Sequence, residues 1–355
     1  MSEKVLMKGN EAIAEAAIRA GCRHYFGYPI TPQNEIAAYM SRRMPQVDGV
    51  FLQAESEIGA VHMVIGASSV GRRAMTTSSS PGISLKTEGL SYLAGCDLPA
   101  VCANIQRGGP GLGTIQPSQA DYFQSVKGGG HGDYKMIVFA PSTVQEAYDQ
   151  TALSFDIADK YRVTCMLLSD GILGQMMEAV DLSTVKEGGN AVAKPWATTG
   201  TQGKRDPNLI TSLFLYAEQL EAAVEGRYKR YAEIEKNEVR WEEFHTEDAE
   251  VVFVSYGASA RSARNAVRMA RAEGIKAGML RPITVWPFPN AALKALAPQV
   301  KGFISVEMSM GQMVEDVKLA IECSKPVYMC NRTGGVVPAP EAIVAKAKEV
   351  VGGAK

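Results

Sequence analysis

Residues 47–82 read VDGVFLQAESEIGAVHMVIGASSVGRRAMTTSSSPG. Val, Phe and Leu following an Asp-Gly turn signal predict a strand. EIGAVHMVIGASSVG (57–71) is then a helical run of small and apolar residues, and RRAMTTSS (72–79) returns to strand-forming sequence before the break at Pro81 and Gly82. Strand, helix and strand at this spacing imply parallel strands with the helix packed across them.

The alternation extends in both directions. Upstream, Asn10 to Ala20 puts Ile13, Ala16, Ala17 and Ala20 on one helical face, HYFGYP is an aromatic strand stopped by Pro29, and Pro32 to Met44 is helical. Downstream, PAVCANIQ and KMIVFAPS are strands, VQEAYDQTALSFDIADKY is a helix, and RVTCMLLSDG is a further strand. The predicted class is α/β, a parallel sheet with helices on both faces. Its strand ends at Pro29, Ser78 to Gly82, Arg107 and Pro141 should share the edge where open α/β sheets place ligands. After Gly174 the pattern lapses into a polar excursion over 182–208 and charged helical sequence over 209–243. It restarts in EDAEVVFVSYGASARSARNAVRMARAEGIKAGMLRPITVWPFP and continues through KGFISVEMS, a helix from Gln312, PVYMCNRTGG and a last helix to Val351. The expected organisation is a first domain at 1–185, a connector with a helix at 186–246 and a smaller α/β domain at 247–355.

Composition narrows the function classes. A chain of 355 residues that is 46% hydrophobic and 21% charged is long enough for two cores. Its formal charge of −1 and absence of long basic runs give no footprint for nucleic acid. No apolar stretch approaches the roughly 18 residues of a membrane span, and MSEKVLMKGN lacks the apolar core of a signal peptide. The expected location is cytoplasmic. Cys22, Cys96, Cys102, Cys165, Cys323 and Cys330 are scattered without a C-x-x-C pair, so they read as reduced thiols, and no metal or cluster is expected on this chain.

Several motifs read as weak. GGPGLG (108–113) imitates a dinucleotide loop, but Pro110 interrupts it and no helix start follows. SYGASARSARNA (255–266) could hold an anion at a helix N-terminus, although an ordinary Ser-capped turn is the simpler reading. Ser78, Ser79 and Ser80 lack a nucleophile elbow and better offer hydroxyls and backbone N–H groups to a ligand. His62, inside an apolar helix, reads as a packing residue. Glu55 and Glu57 stand at the mouth of that helix. Either they are exposed acids stabilising its N-terminus, or Glu57, nine positions before Gly66, is presented into a dry cleft while small residues let the helix pack behind it.

Read together, GYPITPQNE (27–35), the run from Glu55 to Gly95, QRGGPGLGTIQPSQADYFQ (106–124), KGGGHGDY (127–134) and VEMSMGQMVEDVKLA (306–320) resemble the α subunit of 2-oxoacid:ferredoxin oxidoreductases over nearly the whole chain. Within that family the chain looks most like the 3-methyl-2-oxobutanoate (2-oxoisovalerate) type. Lys86 stands where 2-oxoglutarate-type relatives carry Met. The resemblance implies a pyrimidine-binding thiamine diphosphate domain followed by a transketolase C-terminal-like domain. It implies that Glu57, with Glu55 as the alternative, hydrogen-bonds the aminopyrimidine, and that Pro29, Ile30, Ser79, Ser80 and Pro81 line the cofactor. Thr31 and Arg107 would hold the substrate carboxylate. The chain departs from complete thiamine diphosphate enzymes in lacking a G-D-G motif with a downstream Asn. Ser169-Asp170-Gly171 misses the first Gly, and the next Asn, Asn190, lies in the polar connector. The diphosphate site, Mg²⁺ and [4Fe–4S] clusters are therefore expected on partners: a β subunit, a ferredoxin-like cluster subunit and a γ subunit, with coenzyme A as co-substrate and ferredoxin as acceptor. 2-Oxoglutarate or pyruvate is the alternative substrate, and a noncatalytic scaffold the alternative class.

Overall fold

The computed structural model describes residues 4–352 apart from residue 191; residues 1–3 of the stretch read for a leader lie outside it. In chain order the first part comprises β1 (Lys4–Lys8), α1 (Gly9–Arg19), β2 (His24–Gly27), α2 (Asn34–Arg43), β3 (Val50–Gln53), α3 (Glu57–Ser69), β4 (Ala74–Ser78), α4 (Ser80–Gly95) and β5 (Ala100–Gln106). It continues with α5 (Tyr122–Val126), β6 (Ile137–Phe139), α6 (Val144–Tyr161), β7 (Thr164–Asp170), α7 (Gly171–Gln175) and β8 (Met177–Asp181). The remainder holds α8 (Ala217–Glu238), β9 (Trp241–Phe244), β10 (Val251–Val254), α9 (Gly257–Ala272), β11 (Ala277–Pro282), β12 (Thr284–Trp286), α10 (Asn290–Leu296), β13 (Gly302–Glu307), α11 (Met313–Ala320), β14 (Val327–Asn331) and α12 (Pro340–Gly352).

The first sheet runs β12-β6-β7-β5-β4-β2-β3, parallel throughout except for β12 against β6. Every residue of β4, β5 and β7 is buried, as expected of central parallel strands covered on both faces. Being parallel, β2, β4, β5 and β7 deliver Gly27, Ser78, Gln106 and Asp170 to one edge. The second sheet runs β14-β13-β10-β11-β9, with only β9 antiparallel among its neighbours. A separate antiparallel pair, β1 with β8, was not legible in the sequence.

Two short strands cross the expected boundaries. β9 falls within the span read as a connector yet pairs with β11, and β12, from sequence assigned to the second unit, extends the first sheet through β6. The helical part of the connector is shorter than the reading from Leu209: Leu209, Leu213 and Leu215 precede α8 in irregular backbone and are exposed. SSSPG is not merely a strand-end turn, because Ser80 opens the sixteen-residue α4. At SYGASARSARNA, Ser259 is fully buried and its hydroxyl donates to Gln119 Oε1 at 2.8 Å, so the start of α9 is a packed junction instead of an anion site.

That junction sits behind the site edge. The Gln119 amide donates to Tyr256 O at 2.7 Å and accepts from Met308 N at 2.9 Å. Gln312 accepts from Phe123 N and donates to Ala120 O, both at 2.7 Å. The VEMSMGQ motif is explained by Glu307, fully buried, whose carboxylate accepts from the Ser305 and Ser309 hydroxyls and from the amides of Gln312, Met313 and Val314.

The expectation that Gly66 lets α3 pack closely is corrected. Gly66 is exposed, and a Cβ there would meet nothing within 4 Å. His62 is likewise exposed instead of packed in the core, with Nδ1 only 2.8 Å from Ile58 O. The close approach of α3 to α4 is made by Gly89, where a Cβ would stand 2.3 Å and 2.7 Å from the two methyls of Val61. Gly66→Ala should therefore raise stability by about 0.5–1 kcal/mol through helix propensity. Gly89→Ala should lower it by about 1–3 kcal/mol, since the stiff Val61 side chain cannot turn aside. Urea unfolding midpoints of the two variants check both signs.

Candidate active site

Glu57 is the first residue of α3, and Ser56 caps the helix by accepting the Gly59 amide on its hydroxyl at 3.1 Å. The cap breaks the strand alternation, so Glu55 and Glu57 do not point alike. Glu55 is exposed and accepts from the adjacent Ser56 hydroxyl at 3.3 Å. Glu57 is 5% exposed, and its carboxylate has no hydrogen bond or ion pair among the described residues. Buried carboxylates ordinarily satisfy their oxygens with donors, so this one is open to a donor from outside the described residues.

The start of α4 faces it. A Cβ on Gly82 would lie 2.5 Å from Glu57 Oε1 and 2.1 Å from Ser78 Oγ, so only glycine leaves room for both side chains. Ser78 and the adjacent Ser79 are fully buried, and neither hydroxyl has a partner among the described residues. A carboxylate and two orphaned hydroxyls at one helix start fit a planar heterocycle carrying ring nitrogens and an exocyclic amine, as an aminopyrimidine does. Ser80 differs from its neighbours. Its hydroxyl donates to Asp121 Oδ2 at 2.6 Å and to Arg107 O at 3.1 Å, and accepts the Arg107 amide at 3.0 Å. It is a structural tie and not a free donor.

Arg107 and Thr31 are brought together. The Arg107 guanidinium, with the residue 7% exposed, donates from Nη1 to Thr31 O at 3.0 Å and from Nη2 to Leu112 O at 3.2 Å. One N–H of each terminal nitrogen is thus held by a backbone carbonyl, and the guanidinium nitrogen without any partner among the described residues is Nε. The Thr31 hydroxyl accepts from Asn34 Nδ2 at 3.2 Å. Ile30 and Pro81 are half-buried, and Pro29 is exposed just beyond β2.

Asp121 and Lys86 were not assigned roles from sequence. Asp121 lies inside QPSQADYFQ and also accepts from Asn104 Nδ2 at 2.9 Å. Burial pushes its carboxyl above the usual range, and the bonds from Ser80 and Asn104 partly oppose this. A local signal for its partner did exist, because Ser80 sits at a strand end before Pro81. Asp170, of the incomplete S-D-G, caps α7 by accepting the Ile172 and Leu173 amides at 2.9 and 3.2 Å, which agrees with its reading as a strand-end turn.

Residues 15–243 match the pyruvate flavodoxin/ferredoxin oxidoreductase, thiamine diphosphate-binding domain family, and residues 249–343 match pyruvate:ferredoxin oxidoreductase core domain II. The chain is 49% identical to the ketoisovalerate oxidoreductase subunit VorB of Methanothermobacter marburgensis, covering 98% of both chains. The chain belongs to the 2-oxoacid:ferredoxin oxidoreductase family. It is also 38% identical to the 2-oxoglutarate synthase subunit KorA of Methanocaldococcus jannaschii, over 94% of this chain and 96% of that one. Among solved structures, 2-oxoglutarate:ferredoxin oxidoreductase from Magnetococcus marinus, with 2-oxoglutarate, coenzyme A and succinyl-CoA bound, superposes with a TM-score of 0.86 at 26% identity. That match covers 99% of this chain and 66% of the solved one.

The buried edge of this oxidoreductase subunit has a measurable pH signature. Burial raises the Asp170 carboxyl to about 6, against the amides of Leu173, Ile172 and Ala258 that pull it down. An acid raised in the folded state contributes stability that is complete below its unfolded value near 4 and is lost as pH rises through about 6. Asp170→Asn keeps an acceptor oxygen without the charge. Between pH 4 and 6.5 the variant should gain about 2 kcal/mol relative to the parent chain, read from urea midpoints at each pH; a constant difference would contradict the assignment.

Proposed function

We propose that this chain is the α subunit supplying the aminopyrimidine half of the thiamine diphosphate site in a multi-subunit enzyme. The reaction is oxidative decarboxylation of 3-methyl-2-oxobutanoate to its acyl-CoA and CO₂, with electrons passed to ferredoxin. The observation that carries the reading is the Glu57 carboxylate, nearly buried beside Ser78 and Ser79 and without a hydrogen bond or ion pair among the described residues. The VorB likeness at 49% supports the branched-chain substrate, and the KorA likeness at 38% keeps 2-oxoglutarate as the second reading.

When bound, thiamine diphosphate stores the electron pair released as the 2-oxoacid loses CO₂. Glu57 would hold and return a proton for a ring nitrogen of the bound aminopyrimidine. Ser78 and Ser79 orient the ring, Ile30 and Pro81 exclude water beside it, and Pro29 marks the outer rim. Arg107, through Nε, and Thr31 take the substrate carboxylate and fix the 2-oxo group relative to the reacting carbon. The diphosphate, Mg²⁺ and [4Fe–4S] clusters belong to partner subunits, a β chain and a ferredoxin-like chain with a γ chain. The sequence supports this division in its missing G-D-G motif and scattered cysteines. A partner face is supported by Ile58, beside Glu57 and 45% exposed, and by Leu112 and Ile115, on the Arg107 loop and 83% and 58% exposed.

In the assembled enzyme, Glu57→Gln should fold and lose activity by roughly 10² or more, while Glu55→Gln stays near the parent. Arg107→Lys should raise the KM for the 2-oxoacid, because an ammonium reproduces neither the carbonyl bonds nor the Nε donor. Steady-state kinetics with varied 2-oxoacid and coenzyme A separates these effects; full activity in both Glu variants would refute the reading.

A further inference from the structure

Lys86 is the buried cation that the proposed chemistry leaves unused. Its residue is 0% exposed on α4, and its Nζ donates to Glu57 O at 3.2 Å and to Thr76 Oγ1 at 3.0 Å. Lys86 makes no ion pair among the described residues. Gly82, Lys86 and Gly89 follow one face of α4 at helical spacing. Gly82 receives the Glu57 carboxylate, Lys86 the Glu57 carbonyl, and Gly89 the Val61 side chain one turn further along α3. α4 is thus a bed fitted to the first turns of α3, with one charge in it.

A packing role alone does not account for that charge. Methionine would fill the same space without the penalty of taking an ammonium out of water. Two neutral oxygens satisfy part of its hydrogen bonding but do not neutralise it. The charged or titratable groups that act on it are Glu57 from α3 and Cys102 from β5, while Thr76 from β4 is neutral. The Cys102 thiol is pushed up to about 11 by burial, so it stays protonated near neutral pH. Glu57 is therefore the group on which the Lys86 charge acts.

We propose that Lys86 is a positioning residue for Glu57, pinning the first turn of α3 through the Glu57 carbonyl and bringing a buried positive charge beside that turn. The inference rests on the proposed function only in what Glu57 does next; the coupling between the two residues belongs to the chain itself. Burial lowers the Lys86 ammonium to about 8, with Cys102 and Glu57 opposing the shift, so its charge is present at neutral pH and lost in mild alkali.

The test uses the full chain labelled with ¹³C at glutamate carboxyls, with the Glu57 signal assigned by its loss in Glu57→Gln. In Lys86→Met the Glu57 carboxyl should titrate at higher pH than in the parent, by about threefold or more in proton affinity, because the nearby positive charge is gone. Thermal stability at pH 7 should be unchanged or raised. In the assembled enzyme kcat should fall with little change in the 2-oxoacid KM, and the acidic limb of the pH profile should move upward. An unchanged Glu57 titration overturns the proposal, as does a large loss of stability with an unchanged pH profile, which would make Lys86 purely structural. If Glu57→Gln were fully active while the titration shift appeared, the coupling would stand and the functional reading would fail.

Discussion

The hydrogen bond of 2.6 Å from Ser80 Oγ to Asp121 Oδ2 joins the three pieces of chain that make the site. Ser80 begins α4, the helix that beds Glu57. Through the same hydroxyl it holds both backbone groups of Arg107 at the end of β5. Asp121 opens α5, and the residues around it, Gln119, Ala120, Tyr122 and Phe123, are bonded to the starts of α9 and α11 and to Asp316 within α11. A displacement of the second unit would be transmitted to Asp121 and from there to Arg107 and the start of α4. Low dielectric around this network strengthens each bond and penalises any that is broken.

Much of this was legible in the sequence, and the reasons differ by element. β5 and β7 could be read from their largely apolar runs, and β4 from Met75 and the β-branched Thr76 and Thr77 that follow the α3 run. The shared edge followed from their being parallel. α4 was obscured by its Ser-Ser-Ser-Pro-Gly opening, which reads as a turn although Pro is well suited to a helix's first turn. β9 and β12 were missed because three or four residues carry too little periodicity, and their sheet is chosen by tertiary pairing with β11 and β6.

The site divides similarly. Glu57 was identifiable as an acid at the mouth of an apolar helix, but the reason offered through Gly66 was wrong. The glycine that admits its carboxylate is Gly82, on a different helix, and such contacts have no sequence spacing. Thr31 and Arg107 were expected together and are together, although a backbone carbonyl holds one N–H of each Arg107 terminal nitrogen. Ser80 was expected to face a ligand and instead serves the framework. Asp121 and Lys86 become visible only when burial and partners are known, because an acid or a lysine in sequence is by default a surface residue.

The central claim is that this chain provides the proton-handling and carboxylate-binding half of a 2-oxoacid oxidoreductase site completed by its partners. The most direct measurement is reduction of a one-electron viologen acceptor by the purified native complex, with 3-methyl-2-oxobutanoate, 2-oxoglutarate and pyruvate compared in the presence and absence of coenzyme A. The account predicts reduction that requires both 2-oxoacid and coenzyme A, with the highest kcat/KM for 3-methyl-2-oxobutanoate. Failure of every 2-oxoacid to support reduction in the intact, cofactor-loaded complex would contradict it.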